Sequence, residues 1–476
     1  MNAQDTISPY YLPSVDSLRV SSLDFTRTLN TYVWSADFQK EMHYQIWSAE
    51  IQQHVRSRLV KSDQIAIQDE YQGSISLNAR FSKEWNLQLK NTSNALADNR
   101  VIDLGRMAQH RLVAGFEYIP MESMAGRAAG GYELNSQEDE DDRGFVYKLG
   151  FDAYRIRLDE FYASLHSSWD QSFLSRRSPR TGDVNLTLLR DFGGGVSDSL
   201  AINYSTQRSE FYTGLSSSFQ SSLGVRHNIF HRDADVFEVV NQTKYGMDRS
   251  FSLNVSIGLS NRLIKRGYRF KDNLNSASLT DSRIQEMQFF GMISLLWSPL
   301  KWLDADFRIL NSERDERYSV EDAPVSNIEN LRSQADKLEN TAQRTMVSTS
   351  LNAGVTQNDN IRLVSSFSIL RYDTPDPSNT DDRDEFLATS GLEIEHRFSP
   401  RLHLLMAVDL TLFHLVYLRQ EQSANNNWNR VIRLSPRVEY TPSSWFRTAM
   451  RAEVLANYTI SDYEELQRAS IRSFSY

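Results

Sequence analysis

Apolar and polar side chains alternate residue by residue through most of this chain, in segments of roughly ten residues, and no long apolar run interrupts them. In Leu303–Ile309, Leu303, Ala305, Phe307 and Ile309 are apolar, while Asp304, Asp306 and Arg308 between them are charged. A strand turns successive side chains to opposite faces, so this segment carries one oily face and one charged face. The same pattern recurs almost end to end. A chain built of so many two-faced strands is expected to be all-β: a transmembrane antiparallel up-and-down β-barrel.

Composition is compatible with that expectation. The 476 residues are 40% hydrophobic and 24% charged, with a mean hydropathy of −0.50. A membrane barrel can look this polar, because only every second strand residue meets lipid. No stretch of 18 apolar residues occurs, which excludes a helical membrane protein. The 24 Phe and 21 Tyr suit strands and the aromatic girdles of a barrel. Cysteine is absent, which removes disulfides, thiolate metal sites and cysteine nucleophiles. A net charge of −9 argues against nucleic acid as a partner, since binding the phosphate backbone needs a basic face. The start, Met1-Asn2-Ala3-Gln4-Asp5, has neither a basic region nor an apolar core of a signal peptide. Ala3-Gln4-Asp5 would suit the start of a mature secreted protein.

Residues 1–40 lack clean alternation and are expected to form a periplasmic tail or an inward-folded segment, with a short helix near Leu23–Tyr32. Residues 41–476 are expected to form the barrel. Ile75, Leu77, Ala79 and Phe81 share one face, opposite Ser74, Ser76, Asn78 and Arg80. Leu402, Leu404, Met406, Val408, Leu410 and Leu412 form a longer stripe, and Ile432, Leu434, Val438 and Tyr440 another. An aromatic–Ser/Thr–Pro motif punctuates the strands: Trp297-Ser298-Pro299 leads to Trp302, Phe398-Ser399-Pro400 to Leu402, and Tyr440-Thr441-Pro442 to Trp445. Phe81-Ser82 leading to Trp85 is the version without proline. Proline presets a turn and cannot donate to a ladder, so these motifs predict short periplasmic turns. Phe81, Trp85, Trp297, Trp302, Phe398, Tyr440 and Trp445 are then expected at the lipid interface. Other connections are long and polar: the five acids Glu138–Asp142, residues 311–343 with a helix around Ile328–Leu338, Tyr372–Glu385 and Gln420–Trp428. The segments amount to about 18–22 strands.

Charge on a lipid-facing strand position costs about 2–4 kcal/mol for Arg or Lys at the bilayer midplane. Asp304, Asp306, Arg308, Glu393, Glu395, Arg397, Arg433, Arg437, Arg447, Arg451 and Glu453 alternate with apolar residues, so they are expected to face the lumen. There they either line a water-filled path or pair across strands and fill it. The nine histidines are scattered. His227 and His231 have a helical metal-site spacing, but on a strand they would lie roughly 13 Å apart. The acidic runs could offer oxygens to Ca²⁺ or Mg²⁺, yet neither matches an EF-hand, and solvated outer loops are the simpler reading. Gly193-Gly194-Gly195 lacks a following Lys-Ser/Thr and reads as a turn. There is no G-x-S-x-G elbow. No cofactor, metal site or catalytic residue is expected, and an enzyme ranks behind other functions.

Four stretches carry a resemblance: Ile369-Leu370-Arg371-Tyr372-Asp373-Thr374-Pro375, Ser423-Ala424-Asn425-Asn426-Asn427, Val431-Ile432-Arg433-Leu434-Ser435-Pro436-Arg437, and Val454-Leu455-Ala456-Asn457-Tyr458-Thr459. Through them the chain resembles uncharacterised outer-membrane β-barrel proteins of Gram-negative bacteria of the Bacteroidota and Chlorobi type. The resemblance implies a barrel in the bacterial outer membrane, in contact with its lipid and lipopolysaccharide. It also implies further strands beyond Arg472-Ser473-Phe474-Ser475-Tyr476, so that the chain would be truncated there; the alternative is that Tyr476 is a true end, since barrels often finish with an aromatic residue. The leading expectation for function is a channel or conduit for small polar solutes. The alternative is a structural or assembly barrel that anchors periplasmic or surface protein partners in the envelope or a secretion machine.

Overall fold

The computed structural model describes residues 17–44, 46–61, 65–99, 105–215, 220–221, 224, 226–248, 250–270, 281–322, 328–377, 379–443, 446–462 and 467–475. For 17–20, 247–248, 322 and 467–475 it describes the backbone only. The described residues form 22 strands. The first eleven are β1 (Ser17–Thr28), β2 (Thr31–Tyr44), β3 (Trp47–Lys61), β4 (Ile65–Arg80), β5 (Trp85–Asp98), β6 (Arg106–Met121), β7 (Met124–Gln137), β8 (Glu140–Leu158), β9 (Phe161–Leu174), β10 (Arg180–Gly193) and β11 (Val196–Gly214). The others are β12 (His227–Asp248), β13 (Phe251–Tyr268), β14 (Asp281–Leu300), β15 (Leu303–Asp322), β16 (Asn340–Gly354), β17 (Asp359–Asp373), β18 (Arg383–Ser399), β19 (Leu402–Tyr417), β20 (Asn427–Ser443), β21 (Phe446–Ser461) and β22 (Gln467–Ser475). One helix, α1 (Ile328–Asp336), lies between β15 and β16, and a 3₁₀ turn, Gln420–Asn425, between β19 and β20.

All 22 strands belong to one antiparallel sheet in which each strand pairs with the next in sequence. This is the expected up-and-down order, with a strand count at the upper end of the expected range. Among the described residues no ladder joins β1 to β22.

The connections fall into two sets. Those after even-numbered strands contain two or four residues, such as 81–84, 122–123, 301–302 and 400–401. Those after odd-numbered strands run from two to seventeen residues, the longest being 323–339. Because strands alternate in direction, each set lies at one end of the sheet. The aromatic–Ser/Thr–Pro motifs all fall at the short-turn end, after β4, β14, β18 and β20, as their proline chemistry predicts. Gly193-Gly194-Gly195 is the turn between β10 and β11, with φ of +74°, +60° and +83°. That left-handed backbone favours glycine, and a Cβ on Gly195 would also collide with the Gly246 carbonyl at 1.8 Å.

Two expectations are corrected. Residues 17–40 are neither tail nor helix: β1 pairs along its length with β2, Phe25 opposite Trp34 and Leu23 opposite Ala36. The part of the expected 1–40 segment before residue 17 lies outside the described residues, as do Trp445 and Tyr476. Alternation is present in β1, but Ser21 interrupts the apolar face of Leu23 and Phe25, so it is weak in the sequence. Glu138–Asp142 is not a solvated loop either. Glu138 and Asp139 make a tight turn at φ +50° and +64°, and the remaining acids begin β8. The helix expected around Ile328–Leu338 is present as α1.

Candidate functional site

In an antiparallel ladder, residues directly opposite each other share a face. Register therefore carries a face from strand to strand. Val255, Ile293, Ile309, Val347, Phe367, Ala388 and Leu412 are successive partners from β13 to β19. At the other end of the sheet, Ile51, Ile75, Asn91, Leu112, Tyr132, Phe145 and Phe173 run the same way from β3 to β9. This face exposes large apolar side chains: Phe367 is 53% exposed, Ile309 51% and Phe289 53%. At its short-turn margin stand Phe81, Trp85, Trp297, Trp302, Phe398 and Tyr440, all exposed, joined by Tyr44, Trp47, Tyr118 and Phe161. Trp85 packs on Tyr118 with ring centroids 4.6 Å apart.

The opposite face is polar. Ser294, Arg308, Ser348, Ser366, Thr389 and Thr411 are successive partners from β14 to β19, and the Ser366 and Thr389 hydroxyls meet at 2.8 Å. All eleven predicted charged residues lie on this face, on β15, β18, β20 and β21. They pair along the wall. Asp306 holds Arg308, Glu395 holds Arg397 at 3.0 Å, and Glu453 takes both Arg451 at 3.4 Å and Arg433 at 3.6 Å. Glu439, which sequence reasoning left out of the candidate set, collects Arg437 at 3.3 Å and Arg447. Asp304 accepts from the Ser298 hydroxyl at 2.6 Å. Glu393 stands opposite Arg362 in register. These arginines remain 47–65% exposed despite their partners. The pairs lie within a strand or between neighbours, so they coat a wall and leave the space before it open.

Two networks of charged and polar side chains escaped the sequence reading. On β6–β9, Arg111 donates to Glu133 at 2.7 Å and to Asp170 at 2.8 Å. Lys148 also reaches Asp170 at 2.8 Å, and the Ser172 hydroxyl donates to Glu133 at 2.6 Å. The second network clasps the long-loop end. Arg177, between β9 and β10, is 4% exposed. It donates to Asp142 at 2.7 Å, Asn135 at 2.7 Å, Gln137 at 3.0 Å and the Glu210 carbonyl at 3.3 Å. Its guanidinium lies 4.6 Å from the Tyr212 ring centre, and the Tyr212 hydroxyl donates to Asp142 at 2.8 Å. Tyr212 accordingly ties β11 to the β7–β8 hairpin. Strands four apart in a flat sheet are about 19 Å apart, yet the Tyr212 backbone N–H reaches Gln137 at 3.2 Å. The sheet is strongly bent here. Residues so distant in sequence leave no local signature; their only trace is a charged residue inside an otherwise apolar alternation.

Beside this clasp, Arg176 is held protonated above its ordinary range, chiefly by its hydrogen bond and charge pair with Glu140. Glu140 also meets His227 at 3.1 Å; His227 and His231 both lie on β12, where the helical metal-site spacing does not apply. A second clasp joins two other loops, those between β17 and β18 and between β19 and β20. Asp382 accepts from the Thr374 hydroxyl at 2.6 Å, the Thr374 N–H at 2.8 Å and Arg419 at 3.3 Å. Burial pushes the Asp382 carboxyl up, but Thr374 and Arg419 outweigh it and hold it below its usual range. Among the described residues no group of three or more His, Asp or Glu is placed to hold a metal ion.

No family model matches the chain, and no curated protein matches its sequence. Several solved structures share its strand arrangement at low identity. The ferric yersiniabactin uptake receptor from Yersinia pestis is 8% identical, with a TM-score of 0.47, over 93% of this chain and 70% of that one. A siderophore receptor from Pseudomonas aeruginosa is 9% identical, TM-score 0.46, over 95% and 78%. A copper transporter is 7% identical, TM-score 0.46, over 97% and 80%.

Proposed function

We propose that this chain is a bacterial outer-membrane β-barrel whose polar interior conducts small polar solutes. The observation that carries the reading is the apolar face, followed by register from strand to strand and backed everywhere by a polar one. Water is a poor solvent for such a face and lipid a good one. Its height fits. On β14 the apolar face runs from Met287 to Trp297. That is about 33 Å of strand, or about 25 Å of vertical height at a typical barrel tilt near 40°. The aromatic margin at the short-turn end would then lie at the periplasmic headgroups, and the loop-end clasps would face lipopolysaccharide and the exterior.

The polar face would enclose the conduit. Twenty-two strands closed at about 4.8 Å spacing and about 40° tilt make a backbone cylinder about 44 Å across. An arginine side chain spans a small part of that width. The charged residues from Asp304 to Glu453 therefore line the space and cannot fill it, which favours a conduit over a solid anchor. No bond is made or broken in this reading.

Single-channel recording of the refolded chain in a planar bilayer tests it. Stable stepwise currents are expected, with ion selectivity shifted by the double variant Arg433→Gln/Arg437→Gln. A folded, heat-modifiable barrel that passes no current would refute the conduit and leave an anchor for envelope partners.

A further inference from the structure

The polar face is chemically divided. Its β15–β21 sector carries paired carboxylates and arginines, whereas in its β2–β6 sector a run of neutral amides and hydroxyls lies between charged residues such as Glu50, Arg56, Glu70 and Lys90. Gln39 stands opposite Gln52, Gln52 opposite Ser74, and Ser74 opposite Thr92. The next row places Gln72 opposite Asn94. These six residues line one open groove of about 640 Å³, within the range of small-molecule sites.

Their hydrogen-bonding capacity is largely unspent. Gln39 and Gln52 each donate one N–H to Glu50, at 3.1 and 2.6 Å. Each amide keeps a second N–H and a carbonyl oxygen with two lone pairs. Among the described residues Gln72, Ser74 and Thr92 have no side-chain hydrogen-bond partner, and Gln52 and Gln72 are exposed. The charged residues that line the groove are paired: Arg111 with Glu133 and Asp170, Lys148 with Asp170, and His54 with Asp37 at 2.6 Å.

From this lattice we infer that the β2–β6 wall is a binding site for a neutral saccharide carried by the conduit. The inference uses the proposed function only in requiring that the polar face meet water. A sugar presents neighbouring hydroxyls that each donate and accept, which is the complement of an amide's adjacent N–H and carbonyl. Along a row, the amide and hydroxyl groups repeat at the strand spacing of about 4.8 Å, close to one pyranose ring of a linear glycan. An anion would need an uncompensated cation, which this groove lacks. An extended peptide is captured by a free sheet edge or by side-chain pockets, whereas β2–β6 are paired on both sides.

The test is calorimetric titration of the refolded full chain in detergent with maltotriose and maltohexaose, with tetraglycine as the competing class. Saturable binding of the glycan is expected, tighter for the longer one. The double variant Gln52→Leu/Gln72→Leu should weaken it about three- to ten-fold, the range for one or two lost neutral hydrogen bonds. Thr411→Val, on the far wall, should leave it unchanged. No glycan binding, preference for tetraglycine, or equal losses in both variants would overturn the inference. Because calorimetry needs no current, glycan binding by a non-conducting barrel would refute the conduit alone, and conduction without glycan binding would refute this site alone.

Discussion

Replacing Arg177 by alanine should open the long-loop end of the molecule without dissolving the rest. The side chain donates four hydrogen bonds at 2.7 to 3.3 Å and stacks on Tyr212. Its removal strands Asp142, whose side chain is 0% exposed. Breaking a buried ion pair from one side costs about 3–5 kcal/mol, mostly because the remaining charge is uncompensated. Ser175 at 2.7 Å and Tyr212 at 2.8 Å still donate to Asp142, which sets the expectation at the lower limit, about 3 kcal/mol. Local opening governs amide exchange in such a region, so exchange in β7, β8 and β11 should accelerate about 100-fold. The β16–β19 amides should not change. The double variant Arg177→Ala/Asp142→Ala should lose less than the sum of the two single losses, because the stranded charge is gone with its partner. Arg308→Ala supplies the contrast. That side chain is 55% exposed beside Asp306, and exposed pairs are worth at most about 1 kcal/mol. An Arg177→Ala effect no larger than that of Arg308→Ala, or strict additivity in the double variant, would refute the account of the clasp.

Two further outcomes follow from the faces and the loops. Phe367→Arg should cost about 2–4 kcal/mol in refolding into liposomes, as a charge does near the bilayer midplane. Ser366→Arg, one residue away on the polar face, should cost little, and equal costs would show the faces to be misassigned. The folded Asp382 carboxyl sits below the ordinary aspartate value of about 3.9. A depressed folded value stabilises the loop clasp above the unfolded value, and that stability is lost as pH falls through the folded one. Proteolysis of the 374–382 loop should therefore be pH-independent near neutrality and rise only below about pH 4. A rise centred at pH 5 or above would sink this assignment.

The sequence discloses the strands because a sheet solvated differently on its two sides must alternate, as in Leu303–Ile309, and discloses the short turns because proline after Ser298, Ser399 and Thr441 ends a ladder. It hides β1, where serines replace apolar residues at face positions. It hides the Arg177 clasp more deeply. Asp142 lies in a run of five acids that reads locally as solvated loop, and only the bend of the sheet brings Arg177 and Tyr212 to it. The neutral wall is hidden for a different reason. Charge on a strand demands an explanation, because a charge in lipid is expensive, whereas glutamine, asparagine and serine suit a loop, a surface or a lumen equally well.

This difference shapes the division of labour across the molecule. Paired charges are most strongly constrained in the strands that cross the proposed membrane band, where Glu439 and Glu453 each hold two arginines along one wall. Partners so close cancel one another's long-range field, so such a wall stays wet without strongly attracting either sign of ion. A wall of that kind admits solutes without retaining them. Retention needs short-range hydrogen bonds with unspent partners, and the β2–β6 groove offers them at Gln72, Ser74 and Thr92. Under the proposed conduit, the charged sector would serve passage and the amide sector selection. In that reading the two burdens fall on different strands of one polar face, because a single strand position cannot supply both a satisfied charge and a free amide.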